Sequence, residues 1–333
     1  MRWRRWGVSV VSVLSAVALT VLAGGQADAE GNGPGLSAPD AALHHALDCH
    51  GDLSGGSSAP VLLVPGTTLR PDVNFDWNYE PALARRGIPY CAVTLPGHAM
   101  ADIQVAAESV VAAIRSMHAE AGRRIDVVGF SQGGMVPRWA LKYWPDTRGM
   151  VDDLVGIDPS NHGTLDAHAV CAPDCAPSIW QQRTGSRFLT ALNDGPETWP
   201  GIDYTVVYSA FDEVVVPNLP PRGSSTLHTG NGRITNVSVQ ELCPGHVADH
   251  LSMGSIDPVG YATVLDALTH DGPARPARID RGSCARPLMP GVDPLTLPAN
   301  EARYNGQVAS TLATYPHVSA EPPPARYAAE DRR

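Results

Sequence analysis

An apolar run, Ile125-Asp126-Val127-Val128, leads into Gly129-Phe130-Ser131-Gln132-Gly133 and then into Gly134-Met135-Val136-Pro137-Arg138-Trp139-Ala140-Leu141. The pattern predicts a strand, a sharp turn centred on a serine, and a helix. A G-x-S-x-G at such a junction is a nucleophile elbow. Ser131 then takes a strained backbone conformation, and only small neighbours such as Gly129 and Gly133 leave room for it. The new helix points the backbone N–H of Gln132 at any anion that forms beside the serine. Alone the pattern is weak, because a Gly-rich loop reads the same way. It becomes strong when an acid and a histidine follow in the order Ser…Asp…His, each just after a strand.

The surrounding chain has the required alternation. Residues 61–64 and 90–94 are short continuous apolar runs ended by Pro65-Gly66 and Pro96-Gly97, the mark of strands buried on both faces. Asp102 can cap a helix over 102–119, with Ile103, Ala106, Val110, Ala113, Ile114 and Met117 on one face. Residues 154–157, 204–208 and 234–239 read as further strands, and 184–192 and 259–268 as helices. The irregular stretch 158–180 is expected to shape a pocket. Strands alternating with helices predict an α/β fold, a mostly parallel central sheet with helices on both faces. Its site should lie at the carboxyl ends of the strands.

The beginning of the chain reads as an export leader. Arg2, Arg4 and Arg5 precede an apolar stretch over 8–23, and Ala27-Asp28-Ala29 forms a cleavage site. That stretch is about 16 residues, short of the ~20 that span a bilayer, so a cleaved leader over 1–29 is favoured over an anchor. The chain should then be secreted. A loose segment over 30–46, a catalytic domain over 47–320 and a disordered tail over 321–333 complete the expected organisation. The net charge is −10, and Lys142 is the one lysine; this acidic balance argues against nucleic acid as a partner.

Six cysteines in an exported chain suggest disulfides. Cys171 and Cys175 form a short local pair. Cys49–Cys91 and Cys243–Cys284 are the favoured long pairs, each closing a loop of about forty residues worth ~4 kcal/mol by loop entropy. A zinc site is the disfavoured alternative, since no C-x-x-C pairs with a second such motif; no metal or organic cofactor is expected.

Asp212 lies just past the strand 204–208, where the acid of this arrangement belongs, with Glu213 as its competitor. His250 follows the last strand, before the final core helix. His246, His228, His270 and His317 are alternatives in the right order. The resulting chemistry is acyl transfer: His250 takes the proton of Ser131 as the serine attacks an ester carbonyl, and Asp212 holds the imidazole. The second oxyanion donor should come from the loop after an early strand, here Pro65-Gly66-Thr67-Thr68.

Val64-Pro65-Gly66-Thr67, Ser131-Gln132-Gly133-Gly134, Ser178-Ile179-Trp180-Gln181-Gln182, Tyr208-Ser209-Ala210 with Asp212-Glu213, and Asp249-His250 together resemble the Candida antarctica lipase B-like family. The likeness runs from about Leu47 to Cys284. It implies an α/β-hydrolase fold and a lipase or carboxylesterase activity, with Ser131, Asp212 and His250 as triad and Thr67 and Gln132 as oxyanion donors. It also implies Phe130, Gln182, Val214 and Val215 at the substrate pocket, and it matches the two long disulfides. The expected partners are an ester or lipid substrate and, transiently, a lipid interface; the chain is expected to act as a monomer. Gly129 and Phe130 replace a threonine and a tryptophan of the family's yeast enzyme. Ser160 stands where the family's pocket aspartate falls. The region after Cys284 is shorter, so the lid-like helix there is expected to differ or be missing. An acyltransferase or polyester depolymerase on the same triad is the alternative reading, and a non-catalytic binding protein the more distant one.

Overall fold

In the computed structural model, residue 1, residues 31–56 and residues 58–330 are described. The expected leader therefore lies, beyond Met1, outside the described residues. Seven strands form one sheet: β1 Leu47–His50, β2 Val61–Val64, β3 Tyr90–Val93, β4 Ile125–Phe130, β5 Val151–Ile157, β6 Asp203–Tyr208 and β7 Arg233–Ser238. Their order is β1-β3-β2-β4-β5-β6-β7. Every pair is parallel except β1 with β3. This is the mostly parallel α/β sheet expected from the alternation, in keeping with the α/β-hydrolase fold that the resemblance implies. Strand β1 escapes sequence reading because it is a four-residue edge strand with a mostly exposed pattern, which leaves no apolar run to detect.

The apolar runs of the central strands split residue by residue between two cores, as a period of two requires. Leu62, Val64, Ile125, Val127, Leu154, Tyr204 and Val206 face one core. Val61, Leu63, Val128, Phe130, Val155, Ile157, Val207 and Val237 face the other. Helices α1 Ile103–Ala121 and α2 Gln132–Tyr143 cover the first face. Helices α3 Pro258–Thr269 and α4 Leu297–Thr314 contribute to the second. Asp102 caps α1 as expected, accepting from Gln104 N–H at 2.9 Å. The helix expected over 184–192 is shorter, Arg187–Leu192, because Ser186 caps it by accepting from Leu189 N–H at 3.0 Å. The stretch 158–180 holds a short helix, Asp166–Val170, and the start of another, Pro177–Gln182.

Two expectations about the ends are corrected. Of the segment 30–46, the described part, 31–46, is tied down: Asp40–His45 is helical, Glu108 accepts from Ser37 N–H at 2.6 Å, and Trp144 Nε1 donates to Pro34 O at 2.7 Å. Nor is 321–330 disordered. Glu321 accepts from Phe188 N–H at 2.8 Å. Arg326–Glu330 is helical, and Tyr327 packs on Trp139, Tyr143 and Trp144 while its hydroxyl accepts from Trp139 Nε1 at 3.1 Å. Pro-rich composition suggested a free tail; a few aromatic contacts hold it. The disulfides pair as expected: Cys49–Cys91, Cys171–Cys175 and Cys243–Cys284. Cys49 and Cys91 are register partners across β1 and β3.

Candidate active site

Strand β4 ends at Phe130 and α2 begins at Gln132, so Ser131 alone makes the turn, with φ 55° and ψ −125°. That conformation is costly for a residue with a Cβ. Its neighbours show why they must be glycine. A Cβ on Gly129 would stand 2.0 Å from Gly133 O, and one on Gly133 would stand 2.2 Å from Val64 O. The turn is pinned by Ser131 N–H donating to Ile157 O at 2.8 Å.

Ser131 and His250 line one cavity of about 210 Å³. His250 begins a short helix, His250–Met253, and is buried. Its Nδ1 meets Asp212 Oδ2 at 2.8 Å, which leaves Nε2 as the nitrogen free to accept a proton. Asp212 is held in turn: its Oδ1 accepts from Val214 N–H and Val215 N–H, both at 2.8 Å. Glu213, the competing acid, instead accepts from the backbone N–H of His250 at 3.0 Å. The other candidate histidines are engaged elsewhere: His246 with Asp257 at 2.5 Å, His228 with Thr226 at 2.8 Å, His270 with Asp266 O at 3.0 Å, and His317 with Asp174 at 2.8 Å.

Thr67 and Gln132 meet beside the serine. Thr67 Oγ1 donates to Gln132 Oε1 at 2.8 Å. Gln182 Nε2 donates to Thr67 Oγ1 at 3.0 Å and to Gln132 Oε1 at 3.2 Å. Ser160 Oγ donates to Gln182 Oε1 at 2.9 Å and completes a neutral network. The early loop is braced by Gly66 N–H donating to Asn74 Oδ1 at 3.1 Å. Phe130, Gln182, Val214 and Val215 all line the cavity. The Phe130 ring lies 4.7 Å from the His250 ring.

Sequence reading missed several groups. Tyr304, Val308 and Leu312 of α4 line the cavity, so a helix after Cys284 walls the site. Their spacing of four was the available signal. Burial pushes the Tyr304 phenol well up, so it serves as a neutral hydroxyl. A buried acid, Asp158, also lies against Asp212 and His250; nothing in its sequence context marks it.

Residues 109–242 match the family described as Lipase (class 2). Lipase B of Pseudozyma antarctica is 34% identical over 299 residues, covering 87% of this chain and 82% of that protein. The crystal structure of Aspergillus fumigatus lipase B superposes with a TM-score of 0.82 at 31% identity, covering 89% of this chain and 74% of that one. The propeptide form of Bacillus licheniformis lipase BlEst2, at 17% identity and a TM-score of 0.51 over 69% of this chain and 54% of that one, shares the fold. With the elbow, the sheet and these likenesses in hand, the chain belongs to the lipase family that includes Pseudozyma antarctica lipase B, as a hydrolase of the α/β-hydrolase fold.

Proposed function

We propose that this chain hydrolyses carboxylic esters, triacylglycerols foremost, through an acyl-enzyme on Ser131. The observation that carries the reading is the 2.8 Å contact of His250 Nδ1 with Asp212 Oδ2 behind a cavity that Ser131 also lines. His250 Nε2 takes the serine proton as Oγ attacks the carbonyl, then returns it to the leaving alcohol. Asp212 keeps Nδ1 protonated and stabilises the imidazolium. Water repeats the sequence on the acyl-enzyme with the same base. The oxyanion is met by the backbone N–H of Gln132, at the positive end of α2, and by Thr67, whose hydroxyl turns from Gln132 Oε1 to the developing charge.

The cavity wall supports an apolar acyl chain, with Leu69, Ile179, Val214, Val215, Val308 and Leu312 on it. Val170 and Leu312 line it yet are 46% and 39% exposed, an apolar rim suited to a lipid interface. Residues 1–29 carry an export-leader pattern and the three disulfides suit an oxidising compartment, so the working enzyme is proposed to be secreted. No helix among the described residues is long and apolar enough to cross a membrane.

The test is turnover of p-nitrophenyl esters from acetate to palmitate by the wild type and Ser131→Ala. Loss approaching ~10⁶-fold in kcat is expected. Undiminished turnover by the variant contradicts the mechanism. A rate jump above the solubility limit of the long esters is the expected mark of a lipase, and its absence assigns an esterase.

A further inference from the structure

Asp158 follows the last residue of β5 and is fully buried. Its backbone sits at φ 41°, a left-handed conformation that a residue with a Cβ holds only where its surroundings over-determine it. Its N–H donates to Val207 O at 2.9 Å. Its Oδ1 accepts from Ser209 N–H at 2.8 Å and from Asn218 Nδ2 at 3.2 Å. Its Oδ2 is buried and meets no donor. One oxygen of Asp158, one oxygen of Asp212 and a ring nitrogen of His250 lie within 4.8 Å of one another.

Two ionised carboxylates at that distance in a dry site repel strongly, and one of them keeps a proton. The contacts decide which one. Asp212 accepts from two backbone N–H groups and faces His250, so its charge is well met. Asp158 has an oxygen with nothing to accept, and an O–H there would have Asp212 to donate to. Asp257 and Tyr208 also act on Asp158, and neither is a cation; His250, the third group of the cluster, becomes one on protonation and is held by Asp212. Burial first, and the Asp212 carboxylate second, push Asp158 well above the ordinary carboxylate range.

We propose that Asp158 is a positioning residue of the triad, a protonated carboxyl whose Oδ2–H donates to the Asp212 carboxylate. The inference rests on the reading of Asp212 as the triad acid. The bond has two effects in one direction. It keeps Asp212 ionised in a buried site, and it tempers the pull of Asp212 on the His250 proton. Both extend activity towards acid. Asp158 gives no proton to substrate and touches no reacting atom; it acts through Asp212. A neutral buried carboxylic acid acting as donor is an established device of active sites.

The test is the pH profile of kcat/KM for the wild type, Asp158→Asn and Asp158→Leu. The asparagine keeps the Oδ1 acceptor and supplies an N–H donor towards Asp212, so its profile is expected to stay within about threefold of wild type with the acid limb unmoved. The leucine lacks the donor, and the acid limb is expected to rise by about one pH unit. An acid limb that falls in Asp158→Asn means a negative charge was removed and overturns the proposal, as does an unmoved limb in Asp158→Leu. Infrared difference spectra of wild type against Asp158→Asn in mildly alkaline buffer give a readout that survives poor folding of the leucine variant. A protonated-carboxyl band lost in the variant is expected, and no lost band overturns the proposal. The same pair of spectra on a Ser131→Ala background separates the two readings, because turnover by that variant would sink the serine mechanism while the band still reports the Asp158 proton.

Discussion

Asp212 and Glu213 are adjacent in sequence and do different things to one histidine. Asp212 is buried against the His250 ring, whereas the exposed Glu213 holds the backbone N–H of His250. Asp212→Asn is therefore expected to lower kcat by about 10⁴-fold. Glu213→Gln, which keeps an acceptor oxygen, should stay within about threefold. Steady-state kinetics on a short ester, with circular dichroism to check folding, decides this; equal losses would refute the division of labour. The residue pattern alone left both acids open, because strand-end position is shared by neighbours and only the fold tells which one turns inwards. The elbow glycines were legible for a stronger reason, since the turn they permit is defined by local sterics. Gly129→Ala places a Cβ 2.0 Å from Gly133 O and is expected to cost about 3 kcal/mol in urea unfolding. Gly149→Ala, where a Cβ meets nothing within 4 Å, is the matched control and should be near neutral.

Elements with long periodic or continuous apolar patterns were readable, and those defined by what they dock on were not. Strands β2 to β7 and helices α1 to α3 carry their own signal. The edge strand β1, the helix at 326–330 and the wall helix α4 take their places from partners. In α4 only Tyr304 and Thr311 are buried, too few to mark an amphipathic face, yet Val308 and Leu312 reach the cavity. Leu312→Ser is expected to reduce kcat/KM for palmitate several-fold while sparing acetate, and an equal fall for both would contradict a role in seating the acyl chain. Tyr327→Ala removes the Trp139 hydrogen bond and the ring packing of the C-terminal segment. A loss of about 2 kcal/mol by denaturant unfolding is expected, and an unchanged midpoint would restore the free-tail expectation.

Across the whole molecule the two ends of the sheet handle charge differently. At the ends where β4 and β5 begin, Asp126 and Asp153 are buried close to Asp152. Burial first, and the Asp152 carboxylate second, push Asp126 up to about 7. Burial first, and the Asp126 carboxylate second, push Asp153 up to about 9. Both values lie above those of the unfolded chain, so the neutral forms favour folding. Their contribution is complete below about pH 4, where the unfolded carboxyls are neutral too, and is lost progressively as pH rises from there to about 7 for Asp126 and to about 9 for Asp153. These two groups should therefore lower the melting temperature from about pH 4 to about pH 9, and Asp153→Asn should flatten the part of that fall above about pH 7. A flat wild-type profile would contradict the assignment. At the opposite ends of the same strands the sheet gathers Ser131, Asp158, Asp212 and His250, residues far apart in sequence. Labelling with a p-nitrophenyl alkylphosphonate, with the adduct mapped by mass spectrometry, tests whether Ser131 is the nucleophile of this gathering. One adduct per chain is expected, on the peptide that carries Ser131, with activity lost in proportion and no adduct in Ser131→Ala or, at matched times, in His250→Ala. An adduct on another residue, or full activity in a chain labelled at Ser131, would contradict it.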